Sequence, residues 1–201
     1  MRGFILCAAI AATLSLAAEV LAGVPTDRVL EYTNAVIKVL DDPALQKGDR
    51  RRERRAAVRQ VVAEIFDLEE TAKRALGPHW QSRTAGEREE FVKAFGDLLE
   101  RTYISRIDQY GGERVRVTDE RIDGDRAVVR GRVITRAGDE VPVEARLHRK
   151  ADQWYIYDVT VANVSLVANY RSQFDRIIRT GSYGELMRRL RDLNESLDKK
   201  G

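Results

Sequence analysis

The stretch that decides the fold is residues 127–161, AVVRGRVITRAGDEVPVEARLHRKADQWYIYDVTV. Within it, apolar and polar side chains alternate over Ala127–Thr135 and again over Val141–Leu147. An alternation of period two is typical of a strand with one covered and one solvated face. The next segment, Trp154–Val161, is apolar on both faces, which predicts a more deeply covered strand.

Short turns separate these segments. Asp123-Gly124-Asp125 and Ala137-Gly138-Asp139 have the composition of hairpin turns, and Lys150-Ala151-Asp152 separates the last two segments. Another alternating segment begins at Val115, before the first of these turns. Because short turns join antiparallel neighbours, the sequence predicts an antiparallel meander of about four strands.

Four helices are predicted before the strands, because apolar side chains recur there every three to four residues. The first helix ends at Asp41-Asp42-Pro43, and the second follows the basic run Arg50–Arg55. Asp67, with Glu70 three positions later, has the pattern of a capping pair that begins the third helix, which ends at Gly77-Pro78.

The fourth helix begins at Thr84, which Glu87 follows in the capping-box spacing, and extends to Gly111-Gly112. After the strands, one amphipathic helix begins at Ser165 and a second begins at Ser182. Helices must cover the apolar face of the sheet, so the predicted fold class is α+β in a single domain.

Composition excludes several classes of protein. The chain has 201 residues with a formal net charge of +3, and only 4 Pro and 14 Gly. These values exclude collagen-like and low-complexity chains. One Cys and two His exclude a disulfide scaffold and the common zinc sites, so we expect no metal and no cofactor.

The beginning of the chain has the pattern of a secretory signal peptide. A short basic start, Met1-Arg2, precedes the apolar run Gly3–Leu16, and Val20-Leu21-Ala22 supplies the small residues of a cleavage site. We therefore expect residues 1–22 to be removed and residues 23–201 to form one exported domain. In a bacterial cell that domain is in the periplasm.

The residues that could support catalysis do not form a recognisable set. Ser165 lacks the flanking glycines of a nucleophile elbow and fits a helix cap better. His79 lies in a predicted loop, and His148 falls on the polar face of its strand, away from any interior site. We therefore predict that the chain is not an enzyme.

Asp158 is the polar residue that stands out, because it interrupts an apolar strand. A buried carboxylate needs a partner, and we predict that Arg171 supplies it, since the chain turns back across the sheet after Asn163. The enzyme hypothesis that stays open uses Asp158 as a general base in a small pocket between sheet and helices. Pairing with Arg171 would remove that hypothesis.

The basic run Arg50–Arg55 contains five arginines. Export and the absence of interleaved aromatic residues argue against nucleic acid as its partner. A solvated helix face is the ordinary interpretation of such a run. Attraction to anionic lipid head groups, in a transient membrane contact, or to an acidic protein surface is the alternative.

Several longer stretches carry a resemblance to a known family. They are FDLEETAKRALG at 66–77 with Trp80 after it, the segment from Glu90-Phe91 to Tyr103, WYIYDV at 154–159, and VSLVANYRSQF at 164–174. Over nearly the whole exported segment the chain resembles the MlaC-type periplasmic phospholipid-binding proteins, also called the toluene-tolerance auxiliary family. Where that family has Gly before Val-Ser-Leu, this chain has Asn163, which also tolerates positive φ. A hopanoid-associated (HpnM) branch shares much of the pattern.

The resemblance implies a monomeric carrier that shuttles phospholipid between the outer and inner membranes. Its implied partners are an inner-membrane ABC transporter complex and an outer-membrane lipoprotein–porin complex. It also implies an apolar cavity between sheet and helices that holds two acyl chains. Whether the lipid is a phospholipid or a hopanoid-related lipid stays open.

On that implication, the inward apolar residues are the candidate walls of the cavity. Because Trp154 and Tyr157 point to opposite faces of one strand, we expect at most one of them to line it. For each candidate, ordinary core packing is the alternative. The candidate lipid-binding residues are Phe91, Phe95, Leu98, Leu99, Tyr103, Ile107, Val133, Val143, Leu147, Trp154, Tyr157, Leu166, Tyr170 and Phe174.

Overall fold

The computed structural model describes residues 24–46, 50–104 and 109–199. The predicted signal peptide and the candidate wall residue Ile107 lie outside these ranges. Within them, no helix combines the length and the apolar character needed to cross a membrane.

In the part of the chain that the structure describes, five α-helices precede the strands, where the sequence predicted four. They are α1 (Pro25–Leu40), α2 (Pro43–Gln46), α3 (Arg51–Ile65), α4 (Leu68–Leu76) and α5 (Ala85–Tyr103), with a 3₁₀ turn at Gly77–Trp80 between the last two. The additional helix, α2, is a single turn begun by Pro43. Helix α5 ends at Tyr103 rather than at Gly111-Gly112, and Tyr103 is already 44% exposed, so the tertiary packing that supports a helix is reduced there.

The predicted helix starts are confirmed by their caps. The Asp67 carboxylate accepts a hydrogen bond from the Glu70 backbone N–H at 2.9 Å. Thr84 and Glu87 form a reciprocal capping box. Ser165 accepts from the Ala168 N–H and begins α6 (Leu166–Thr180), and Ser182 begins α7 (Tyr183–Asp198) in the same way.

The strands form one antiparallel sheet in chain order, which confirms the predicted meander. Its strands are β1 (Arg114–Asp123), β2 (Arg126–Ile134), β3 (Glu140–Lys150), β4 (Gln153–Val161) and β5 (Val164–Ser165). The fifth strand was not predicted, because two residues are too short to show an alternation. Gly131 is required in β2, since a Cβ there would lie 2.7 Å from the Arg116 carbonyl oxygen of β1.

The apolar side chains form two clusters. The helical cluster joins α4, α5, α6 and α7, and its members include Leu76, Phe91, Phe95, Phe174 and Leu186. The sheet cluster joins the sheet to α1 and α3, and its members include Ile65, Val129, Leu147 and Trp154. The fold is therefore α+β, as predicted, with its core in two parts.

The helical cluster joins the sheet at β4. Phe66 makes a parallel bridge with Ile156, and the Asp67 N–H donates to the Ile156 carbonyl at 2.9 Å. One turn later, the Thr71 hydroxyl donates to the Tyr157 carbonyl at 2.9 Å. These contacts fix α4 to β4. The apolar face of the sheet was predicted to be covered by helices, and α1 and α3 are the helices that pack on it.

Candidate functional site

One face of the sheet carries a continuous set of small and aliphatic side chains. Directly paired residues on neighbouring strands lie on the same face, so the register defines this inner face row by row. One row joins Ala127, Leu147 and Ile156. The rows at the other end contain Val115, Val133, Val141, Val143, Val161 and Val164. Gly131 lies beside Val143, and its other neighbour, Val117, packs against the sheet cluster.

Burial changes along the inner face. Ala127 and Leu147 are 2% and 0% exposed, because Ile65 of α3 and Tyr32 of α1 pack on that row, which we call the closed end. At the other end Val161 is 48% exposed and Val164 is 61% exposed. We call the six valines there the open end; the other four are half-buried.

A cleft of about 430 Å³ lies at the same end of the sheet as these valines. It is bounded by the end of α1, the start of α3, the segment before β1 and the β2–β3 hairpin. Its lining is mostly polar, so an enclosed apolar chamber stays a prediction. The residues that line it are Leu40, Asp41, Gln46, Arg54, Tyr110, Gly111, Gly112 and Arg136.

Six of the predicted wall residues belong to the helical cluster, where the aromatic ones pack on one another. Phe95 lies with its ring centroid 5.7 Å from Phe91, 5.3 Å from Phe174 and 5.0 Å from Tyr170. Burial raises the pKa of Tyr170 to about 12, and neighbouring Tyr103 adds to the shift. The six residues are Phe91, Phe95, Leu98, Leu99, Tyr170 and Phe174, and Leu166 packs against them.

Two further predicted wall residues lie at the open end, and two others in the sheet cluster. Val133 and Val143 are half-buried at the open end, whereas Leu147 and Trp154 are buried in the sheet cluster. The alternation of the strands contained a signal for Val115, Val141 and Val161 as well, because they continue the same face. Our candidate list missed these three.

Tyr157 is separated from Trp154 by an irregularity in the sheet. The pairing of β3 with β4 shifts between Arg146 and Leu147, which leaves Tyr157 without a direct partner on β3. Its ring lies under the guanidinium group of Arg74, 3.9 Å from the ring centroid. Trp154 and Tyr157 therefore belong to different surroundings.

The predicted ion pair of Asp158 with Arg171 is wrong. The Asp158 carboxylate is 4% exposed and accepts from the Ser165 hydroxyl at 2.7 Å and from the Val167 N–H at 3.0 Å. Arg171 instead donates through Nε to the Arg74 carbonyl at 2.8 Å. The β4–β5 turn returns the chain so closely that the first turn of α6, rather than a residue farther along it, satisfies the buried carboxylate.

The β4–β5 turn has the backbone that was predicted for Asn163. Asn163 has a φ of 66°, and Ala162 before it has a φ of 49°. This turn places Ser165 where its hydroxyl can donate to Asp158 while it accepts from the Ala168 N–H. The start of α6 is thus fixed to β4 by side-chain hydrogen bonds.

A second polar contact fixes α4 to β3. The Asp67 carboxylate is within hydrogen-bonding distance of His148 Nε2 at 3.1 Å and of Lys150 Nζ at 3.3 Å. Burial opposes ionisation of Asp67, but the Glu70 N–H and the charges of Lys150 and His148 hold its pKa below the usual value. The alternation had predicted a solvated face for His148. In the structure His148 is instead half-buried against the start of α4.

His79 makes a comparable contact, 2.8 Å from an oxygen of Asp175 on α6. Among the residues that the structure describes, no three His, Cys, Asp or Glu side chains converge as a metal site requires. The polar contacts around Asp67, Asp158 and His79 all join one element to another. They can hold the helices in place relative to the sheet.

Known proteins resemble this chain over most of its length. Residues 30–192 match the family model described as MlaC protein. A curated protein of Haemophilus influenzae, named intermembrane phospholipid transport system binding protein MlaC, is 30% identical over 118 residues, or 56% of this chain and 55% of its own length. The chain thus spans about half the length of that curated relative.

A solved structure from Ralstonia solanacearum has the same fold. It is described as a phospholipid-binding protein in complex with a phospholipid. The TM-score is 0.77 with 24% identity, and the match covers 88% of this chain and 99% of that one.

Proposed function

The chain belongs to the MlaC protein family, and from that premise we propose that it is a carrier that binds a phospholipid through its acyl chains. In this proposal the tails lie on the open end of the inner face, between the valines and the helices around them. The head group faces the polar cleft that Arg54 and Arg136 line.

The observation that carries the proposal is the exposure of Val161 and Val164 at the open end, beside four half-buried valines. Its valines continue the same apolar face that α1 and α3 bury at the closed end. Contiguous apolar surface is favoured only when something apolar covers it, and large exposed patches mark binding sites. Acyl chains fit the open end because its side chains are aliphatic and because the tails of a lipid need no polar partner.

The energetic requirement on such a carrier is large. Two acyl chains expose roughly 30 methylene groups at about 0.8 kcal/mol each, so their exposure to water costs on the order of 24 kcal/mol. A few valines cannot offset that cost alone. We therefore propose that Val133 and Val143 contact the tails directly, together with Tyr103, and that the helices around the open end supply the rest of the cover.

The proposal assigns no catalytic residue, because carriage does not need one. Binding with equal affinity at loading and at unloading shifts no equilibrium, so a partner that consumes ATP must set the direction. We propose an inner-membrane ABC transporter complex and an outer-membrane lipoprotein–porin complex as the two partners. The predicted signal peptide supports the periplasm as the compartment.

Native mass spectrometry of the purified exported chain tests the proposal. We expect a mass excess that corresponds to one lipid, and solvent extraction should identify it as a phospholipid with two acyl chains. A hopanoid-related lipid would change the ligand class but keep the carrier. A protein that carries no lipid and takes up none from vesicles would contradict the proposal.

Two matched variants separate the open end from other exposed apolar positions. Val161 is 48% exposed at the open end, and Leu193 on α7 is 45% exposed. Burying a carboxylate against acyl chains costs several kcal/mol, so Val161→Glu should reduce bound lipid by at least tenfold. Leu193→Glu should retain it. Equal lipid content in the two variants would locate the ligand elsewhere.

A further inference from the structure

Within the basic run at the start of α3, Arg54 alone has a part in the proposed lipid site, although the whole run is costly for its helix. Arg51, Arg52, Arg54 and Arg55 occupy the first turns of α3, where the positive end of the helix dipole disfavours cations. The residue before the helix, Arg50, makes no capping hydrogen bond through its side chain. Glu53 pairs with Arg50 within the run, so Arg51 and Arg52 are the cations that call for a negative partner from outside the helix.

Other cations lie at the same end of the molecule. Arg136 belongs to the β2–β3 hairpin and lines the cleft together with Arg54 of α3. Arg114 begins β1 next to Val115, and Lys38 lies in the last turn of α1, which ends beside this cleft. The basic side chains thus surround the open end from four different elements.

Ion pairing distinguishes this end from the outer face of the sheet. On the outer face, Arg130 pairs with both Asp119 and Glu144, and Arg116 pairs with Glu140. Among the described residues, by contrast, Arg51, Arg52, Arg114 and Arg136 form no ion pair, and all four are exposed. The Gly111 N–H and the charge of Arg136 lower the pKa of the Glu113 carboxyl, and the charges of the other three arginines are available to a partner.

We propose that the open end of the sheet docks on an anionic lipid leaflet. In this orientation the cations contact the head groups, and the valines face the acyl region. The proposal rests on the carrier function, because it names the surface from which the ligand enters. A bilayer fits the combination of an apolar centre and a basic rim better than an acidic protein does, since an acidic surface would leave the valines without an apolar partner.

Sedimentation with phospholipid vesicles tests this docking. The exported chain should bind phosphatidylcholine vesicles that contain phosphatidylglycerol and should not bind pure phosphatidylcholine. Binding should be lost at about 1 M salt, where the screening length is about 3 Å. Equal binding to both vesicle types would overturn the proposal, as would no binding to either.

A pair of double variants with the same net charge locates the docking surface. Each basic residue near an anionic surface contributes about fivefold to partitioning, so Arg51→Gln with Arg52→Gln should weaken binding about 30-fold. Arg121→Gln with Arg126→Gln removes two exposed arginines from the β1–β2 hairpin at the closed end. This control should lose less than threefold. Equal losses would show a net-charge effect and overturn the proposal.

Lipid content of the same samples separates this inference from the proposed function. Bound lipid without vesicle docking would overturn the docking surface alone, and docking without bound lipid would contradict the carrier alone. If the Arg51/Arg52 variant retains its lipid and binds vesicles normally but fails to exchange lipid with a membrane-embedded protein complex, the cations serve an acidic protein surface and the docking proposal is wrong.

Discussion

The helical cluster and the open end of the sheet are built from similar apolar residues but differ in what covers them. Phe91 and Phe95 of the helical cluster are fully buried, whereas Val161 at the open end is 48% exposed. The four helices of the cluster cover one another, whereas the α1 and α3 residues that pack on the sheet cluster leave Val161 and Val164 exposed. We therefore propose that the two regions have separate roles: the helical cluster stabilises the fold, and the open end binds the lipid.

The largest effect is expected in the helical cluster. Phe95→Ala removes a ring that packs on three other aromatic rings and should cost about 3–5 kcal/mol of unfolding free energy. Denaturant unfolding of the lipid-free protein measures this cost. The folded fraction should still bind lipid. Loss of lipid from a still-folded variant would contradict the separate roles of the helical cluster and the open end.

The second-largest effect is expected at the contact between β4 and the start of α6, which connects the sheet to the helical cluster. Asp158→Ala leaves the Val167 N–H and the Ser165 hydroxyl without their buried acceptor, which should cost about 1–3 kcal/mol. A double-mutant cycle should give a coupling of at least 0.5 kcal/mol, on the order expected for contacting residues, between Asp158 and Ser165. The coupling between Asp158 and Arg171 should be near zero. A strong coupling between Asp158 and Arg171 would support the ion pair that we predicted from the sequence and would contradict the structure.

The sequence predicted much of this fold because the relevant signals are local. Asp67, Thr84, Ser165 and Ser182 each cap a helix within three residues, and hairpin turns separate the four long strands, each of nine or more residues. The partner of Asp158 was missed because it depends on a two-residue strand and on a register shift at Tyr157. Neither feature has a periodicity.

The difference between the two regions could not be predicted in the same way. Val143 and Phe95 both lie on the apolar side of a regular pattern, and that pattern reports which side faces inward, not what fills the space. Whether another element covers the residue depends on the lengths and paths of α1, α3 and α5. Those are properties of the tertiary structure.

A smaller effect on stability, with a larger one on binding, is expected at the open end. Val143→Ala removes two methyl groups from a half-buried side chain, so the lipid-free protein should lose about 1 kcal/mol or less. The rise in thermal midpoint on lipid addition should be smaller than in the unmodified protein, because ligand stabilisation depends on affinity. An undiminished rise would indicate that lipid binds away from Val143.

The smallest effect is a pH dependence at the contact between α4 and β3. The pKa of Asp67 is lowered in the folded protein from its usual 3.8, so its stabilising contribution is complete above about pH 4 and is lost as the pH falls through the lowered value. Asp67→Asn retains a cap but cannot ionise. The acid limb of its stability profile should be shallower, and an unchanged limb would place the acid sensitivity elsewhere.

The most direct test of the central claim is photocrosslinking with a phospholipid that carries a diazirine on its acyl chain. After illumination of the loaded protein, peptide mass spectrometry should locate the label in the strands that contain Val133, Val143 and Val161. Labels concentrated on Phe91, Phe95 and Phe174 would contradict the account, because they would show that the tails enter the helical cluster instead of the open end of the sheet.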